Sequence, residues 1–231
     1  MEANLSEQTE HITYTRNEWT TVDCFVRMLD YLRDKKIEIV ADIGANVGEV
    51  SNIFLEYFPN IKTIYAYEPR SDNFECLKTR FINEQRIVPI KKGIFYGKNN
   101  APLYINGGCG SSSIVMNKSG RGEIIELAEL ENEGILRLDL AKLDIEGAEY
   151  NVLKYTKFLK STKYLILEFH HFGMDDEIEF QKYLPPNGTK FDDIIRTSYI
   201  KNYTDDYIKK HLPEYKIIIE DQCQYLLERK T

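Results

Sequence analysis

Val40-Ala41-Asp42-Ile43-Gly44-Ala45-Asn46-Val47-Gly48 is the stretch whose reading decides the fold. It joins a short apolar run, Ile37-Glu38-Ile39-Val40-Ala41, to a helix read over Val47 to Tyr57 and closed by Pro59. Gly44 lets the backbone turn sharply and approach a ligand, and Gly48 lets the helix pack closely. Downstream the same rhythm repeats. A second strand covers Thr63 to Tyr67, and a second helix runs from Ser71 to about Asn83 with Ser71 or Asp72 as its N-cap. A third strand, Ile87 to Ile90, carries Pro89 and so belongs at a sheet edge. Residues 93–136 are glycine-rich and read as a loop-rich insertion with short strands such as Pro102 to Ile105. The alternation then resumes with a strand at Leu138 to Leu143, a helix at Ala148 to Leu159 and a central strand at Tyr164 to Phe169. Strands alternating with helices predict an α/β fold with a doubly wound, mostly parallel sheet.

At the ends the pattern differs. Residues 1–18 are polar and read as a flexible arm, leaving 19–231 as a single domain. Trp19 to about Arg33 repeats apolar residues at three- and four-residue steps, one face of an amphipathic helix. Phe180 to Ile200 reads as a lid or surface cover and Asp205 to His211 as a helix. Tyr215 to Ile219 and Gln224 to Leu227 read as a closing antiparallel pair.

Charge and composition limit the function. The net charge of −7, with no basic run longer than two residues, gives no phosphate-binding surface, so nucleic acid is not the expected partner. No stretch approaches the ~18 apolar residues of a membrane span, and the polar start has no secretory signature. Cys24, Cys76, Cys109 and Cys223 are scattered, without paired metal spacing, as in a reduced, cytoplasmic protein.

Three further segments carry chemistry. Glu68 ends the second strand, twenty residues past Gly48, where a carboxylate can accept both hydroxyls of an adenosine ribose. Asn46 and Glu49 stand where a dinucleotide motif needs glycine, and Glu49 would repel a pyrophosphate. An acidic lining suits S-adenosylmethionine, a sulfonium cation without phosphate, better than NAD. The plain alternative is a strand–turn–helix corner with Asp42 capping the helix. Lys142-Leu143-Asp144-Ile145-Glu146-Gly147-Ala148-Glu149 follows the fourth strand and holds three carboxylates, of which Glu149 by itself reads as solvated. Leu167-Glu168-Phe169-His170-His171 ends the fifth strand, and strand alternation puts His170, not His171, on the side of Glu168. An imidazole there can deprotonate an acceptor hydroxyl. Asp144, Glu146 and His170 also have donor types that a divalent cation takes, but no metal is assigned. Gly107-Gly108-Cys109-Gly110-Ser111-Ser112-Ser113 reads equally as an anion nest or a flexible loop.

In order and spacing, the segments at Asp42 to Gly48, Tyr67-Glu68-Pro69, Ser111-Ser112-Ser113 and Lys142 to Glu149 resemble the FkbM-type methyltransferases over roughly residues 37–170. The resemblance implies a class I methyltransferase fold, a Rossmann-like seven-stranded sheet whose last strand is antiparallel. It implies O-methylation of a sugar or natural-product hydroxyl, with a small-molecule or glycan acceptor. Asp42, Gly44, Asn46 and Gly48 would line the methionine part of the cofactor, and Glu68 would hold the ribose. Asp144 and Glu146 would face the methyl donor or acceptor. The acid that often holds adenine after the third strand is absent from Lys91-Lys92-Gly93-Ile94-Phe95-Tyr96, which leaves backbone groups and Ile94 or Phe95 for the base. A nucleotide-cofactor oxidoreductase, or a non-catalytic binding protein on the same fold, is the alternative.

Overall fold

The structure, a computed structural model, describes residues 22–105, 112–115, 122–170, 198–221 and 223–230. Its first elements are α1 (Val22–Leu32), β1 (Ile39–Ile43), α2 (Glu49–Tyr57), β2 (Thr63–Tyr67), α3 (Ser71–Arg80) and β3 (Ile87–Ile90). Four short strands follow: β4 (Gly93–Ile94), β5 (Asn100–Ile105), β6 (Ser112–Ser113) and β7 (Gly122–Ala128). The chain continues through β8 (Leu140–Leu143), α4 (Glu149–Tyr155), β9 (Tyr164–Glu168), α5 (Ser198–His211), β10 (Tyr215–Asp221) and β11 (Gln224–Arg229). The expected arm, the expected lid before α5 and most of the glycine-rich nest lie outside the described residues, as does His171.

Seven strands form the main sheet in the order β10-β11-β9-β8-β1-β2-β3. β1, β2, β3, β8 and β9 run parallel, and β11 is antiparallel to both β9 and β10. This is the predicted doubly wound sheet, with β3 and its proline at an edge. Alternation along each strand feeds two cores. Ala41, Ile43, Leu143, Leu165 and Leu167 pack on one face with Tyr150 and Val152 of α4 and Tyr207 of α5. Val40, Ile64, Leu140 and Ile166 pack on the other with Met28 and Leu32 of α1, Phe54 of α2 and Leu77 of α3. The insertion forms its own sheet, β4-β7-β5-β6, around Ala101, Leu103, Ile125 and Leu127.

β1 is flanked by β2 on one side and β8 on the other, so the sheet reverses its winding there. Beyond the carboxyl ends of such strands a crevice opens that open α/β sheets use for ligands. The opposite end is pinned by Asp139, which accepts the amide hydrogens of Glu38 (3.0 Å) and Ile39 (3.1 Å) and the Lys163 ammonium (2.9 Å). Burial alone would raise the Asp139 carboxyl, but Lys163 and the two amides outweigh it and hold the group below the usual range. Asp139→Ala strands two amides at the start of the central strand. At ~1–3 kcal/mol for each group left without a partner, it should cost about 3 kcal/mol in urea unfolding, and a loss below about 1 kcal/mol would disprove the pinning role.

Candidate active site

The central strand runs two residues further than its apolar run suggests. Asp42 is inside β1, paired in register with Ala66 and Lys142, and is completely buried. Its Oδ2 accepts the Ser51 hydroxyl at 2.7 Å, and Lys142 Nζ lies 3.7 Å from Oδ1. The same ammonium donates to the Gly44 carbonyl at 2.9 Å and meets Asp144 Oδ2 at 3.1 Å. Burial pushes the Asp42 carboxyl up, with Lys142 and Ser51 opposing. For Lys142, burial is outweighed by Asp144 and Asp42, so the ammonium stays charged. This buried chain fixes the Gly44 turn and the root of the Asp144 loop. Asp42 therefore neither caps the helix nor reaches the cleft wall. Gly48 does not reach it either: a Cβ there would lie 2.4 Å from Phe81 Cε2, so its place is helix packing.

The cleft opens directly above. Gly44, Asn46, Glu68 and Ile94 line it, and so do Asp144, Glu146 and His170. Glu68 is 6% exposed. Its Oε2 accepts the Asn46 amide at 2.9 Å and its Oε1 the Arg70 amide at 2.9 Å. Burial pushes its carboxyl up to about 7, against the pull of those two amides. Asn46 adopts a left-handed φ of 51°, and its buried Oδ1 has no hydrogen-bond partner among the described residues. Beside Glu68 the wall is apolar. A Cβ on Gly93 would sit 2.8 Å from Leu127 Cδ2, 3.2 Å from Ile125 Cδ1 and 3.7 Å from Pro69 Cβ, so these groups pack together as one apolar shelf.

At the ends of β8 and β9 the chemistry concentrates around His170. Its Nδ1 lies 3.0 Å from Glu149 Oε1, and its Nε2 lies 3.6 Å from Glu146 Oε2 and 3.9 Å from Asp144 Oδ1. Glu149, expected to be solvated, is instead fully buried and accepts the amides of Ile145 (2.8 Å) and Gly147 (3.0 Å). The buried carboxylate holds the imidazole by Nδ1 and turns Nε2 toward the cleft. Asp144, Glu149 and His170 bring donor atoms within 4.8 Å of one another. Glu149 is the member of this group that meets the ring at Nδ1. Burial alone would lower the His170 pKa, but Glu149, Asp144 and Glu146 overturn this and raise it to about 10. His170 is thus an imidazolium at neutral pH and does not fit the expected role of base. Burial, with the charges of Asp144, Glu149 and Glu168, raises Glu146 to about 7, although His170 opposes the shift.

The insertion closes the cleft from both rims. Glu123 of β7 accepts the Ser71 amide at 2.8 Å and its hydroxyl at 2.5 Å, so the first amide of α3 is met from the insertion, while Asp72 Oδ1 accepts the Asn73 amide at 2.8 Å. Across the cleft, Ser113 of β6 donates to the Glu146 carbonyl at 2.6 Å.

Residues 42–207 match the family model for the methyltransferase FkbM domain. The chain belongs to the FkbM methyltransferase family. Its cofactor is accordingly S-adenosylmethionine. No curated protein sequence matches it. Among solved structures, it is similar to the FkbM methyltransferase of Methylobacillus flagellatus, with 14% identity, 84% of this chain and 44% of that one covered, and a TM-score of 0.49. It thus spans under half the length of that protein. An S-adenosylhomocysteine-bound methyltransferase from Podospora anserina superposes over 96% of this chain and 87% of its own, at 12% identity and TM-score 0.50. An rRNA methylase from Streptococcus thermophilus gives 10% identity, 89% and 93% coverage and TM-score 0.48. At these identities the likeness is one of fold.

The FkbM chain has a cleft suited to this cofactor. Each Glu68 oxygen keeps a lone pair after meeting one amide, which is what two ribose hydroxyls need. The Asn46 Oδ1 can accept from an α-ammonium. The Pro69, Gly93, Ile125 and Leu127 shelf matches a flat base, and the carboxylates around Glu146 match a sulfonium. Among the described residues, no helix is long and apolar enough to cross a membrane.

Proposed function

We propose that this FkbM protein methylates a hydroxyl oxygen of a sugar or other small-molecule acceptor. One observation carries this reading: the Glu146 carboxylate lies in the cleft, raised to about 7 and 3.6 Å from the His170 imidazolium. It is ionised over much of the neutral range and basic enough to take a hydroxyl proton. When bound, S-adenosylmethionine supplies an electrophilic methyl group on a positively charged sulfur. Gly44 and Asn46 would hold the methionine end, Glu68 the ribose, and Ile94 with the Gly93 shelf the adenine. Transfer of that methyl group to the acceptor oxygen would release the hydroxyl proton, which Glu146 would take. His170 holds the carboxylates of Asp144 and Glu146 in place and compensates their charge, and the site's main contribution is alignment.

The wall favours an uncharged acceptor. Glu49, Glu68, Asp144, Glu146 and Glu168 line it against Lys92, Lys142 and His170, so acids outnumber cations, and the chain as a whole carries −7. A phosphodiester backbone would meet like charge on entering. The test is transfer of tritiated methyl from the cofactor to a panel of polyols, glycosides, phenols and folded RNA. Label should enter a hydroxyl acceptor, and Glu146→Gln should cut kcat about 100-fold with S-adenosylhomocysteine affinity unchanged. Label confined to RNA would refute the acceptor class, and a fully active Glu146→Gln would refute the proton acceptor.

A further inference from the structure

The acidic loop is held in shape by a residue that belongs to neither β8 nor α4. Glu146 is one of two non-glycine residues with positive φ among the described residues, at 54°. A left-handed residue of this kind persists only where its surroundings fix it. The loop's own bonds fix its neighbours: the Ile145 and Gly147 amides both go to Glu149. The Glu146 carbonyl is held instead by the Ser113 hydroxyl, at 2.6 Å. That hydroxyl also accepts the Val115 amide at 3.2 Å, and Ser113 is 1% exposed. Ser113 is in turn positioned by β6, which pairs with β5, with Tyr104 opposite Ser113. Glu123 on β7, which pairs with the other side of β5, grips Ser71 at the far rim of the cleft. The insertion is therefore a strap tied at both rims, with Ser113 as its knot on the acidic side.

We infer that Ser113 is a positioning residue, whose hydroxyl fixes the left-handed turn at Glu146 and so aims the Glu146 carboxylate at the cleft and at His170 Nε2. It touches neither cofactor nor acceptor. It deepens the role given to Glu146 above and rests on that reading for its catalytic consequence. Its structural content stands separately, because it predicts where a charge sits.

That charge can be read without any acceptor. The imidazole is faced by Glu149 of α4 and by Asp144 and Glu146 of the loop, whose charges together raise its pKa. Glu168 of β9 acts by its charge on both Asp144 and His170, and Lys142 of β8 lies 3.1 Å from Asp144 Oδ2. If the turn relaxes, the Glu146 carboxylate moves into water, and the imidazolium loses one of its three near partners. The experiment follows the ring carbon and nitrogen resonances of His170 by NMR across alkaline pH, assigned with His170→Asn. Ser113→Ala and the near-isosteric Ser113→Cys should both lower the midpoint by about one pH unit, in the direction of Glu146→Gln. Ser113→Thr keeps the hydroxyl and should restore the wild-type midpoint. S-adenosylhomocysteine affinity should stay within about twofold in all three Ser113 variants, since cleft collapse would cost far more. A Ser113→Cys protein whose midpoint stays at the wild-type value while that of Glu146→Gln falls would overturn the inference. So would Ser113→Thr shifting as far as Ser113→Cys.

Discussion

Glu68→Ala should weaken S-adenosylhomocysteine binding by about 100-fold in calorimetric titration. The buried carboxylate commits one acceptor site per oxygen to the Asn46 and Arg70 amides. The two sites left can accept the ribose hydroxyls, and hydrogen bonds to a charged group are worth ~1.5–3 kcal/mol each. Taking the pair together as ~3 kcal/mol gives the hundredfold loss. Glu68→Gln should fare little better, because its amide nitrogen would have to face either the Asn46 or the Arg70 amide, donor against donor. The pH dependence provides a second signature. The folded carboxyl is raised to about 7 from an ordinary 4.5. A raised carboxyl stabilises the fold at low pH, and that contribution is lost as pH rises from about 4.5 through about 7. Cofactor affinity runs the other way, since the hydroxyls donate to the ionised form: it should fall as pH drops from about 8 to about 6. Glu68→Gln should remove the Glu68 part of that slope. Alanine binding within twofold of wild type would sink the assignment.

What was legible in the sequence was what depends on neighbours in the chain. The Gly44 turn, the acid at the end of β2, the two antiparallel closing strands and the edge proline all follow from local rhythm, and the fold has each of them. The errors come from groups whose environment is made by distant chain. Asp42 sits in a motif that suggests cofactor contact, yet β1 continues through Ile43, paired to both Tyr67 and Leu143, and carries Asp42 into the sheet. Its partner Lys142 looks like a stray cation in an apolar strand. The acids at positions 42 and 144 on the adjoining strand ends were the signal that it is buried between them. Glu149 looks solvated at the start of a helix. Its burial depends on His170, 21 residues on, and on a turn at Glu146 that no propensity favours. The partner of the first α3 amide is Glu123, 52 residues away. Periodicity says which face a residue takes, but not which charges share the dry space behind that face. The base was assigned to His170 for the same reason: an ordinary imidazole titrates near neutral pH, and three converging carboxylates keep this one charged.

Gly44→Ala should damage folding and cofactor binding together. Gly44 has a φ of 86°, and a Cβ built there lies 1.9 Å from the Asp144 carbonyl oxygen, 3.0 Å from its carbon and 3.3 Å from Ile145 Cγ2. The obstacle is backbone, so no rotamer change relieves it. Nor can the Gly44 backbone retreat. Its amide donates to the Tyr67 carbonyl at 3.0 Å, and its carbonyl accepts the Lys142 ammonium at 2.9 Å. Something must give, and the weakest part is the Asp144 loop, because β1 and β2 are locked in register. Moving that loop carries Asp144 and Glu146 off their settings beside His170, so cofactor binding and stability should fail together. Gly97 offers the calibration. It has the same φ of 86°, but nothing lies within 4 Å of its Cβ position. Gly97→Ala therefore incurs only the backbone strain, about 1 kcal/mol. Gly44→Ala adds the collision to that strain, and should lose more than about 3 kcal/mol in urea unfolding, with cofactor affinity down at least about 100-fold. If Gly44→Ala proved no worse than Gly97→Ala, the close approach of the two loops above β1 and β8 would be wrong, and with it the geometry on which the whole cleft depends.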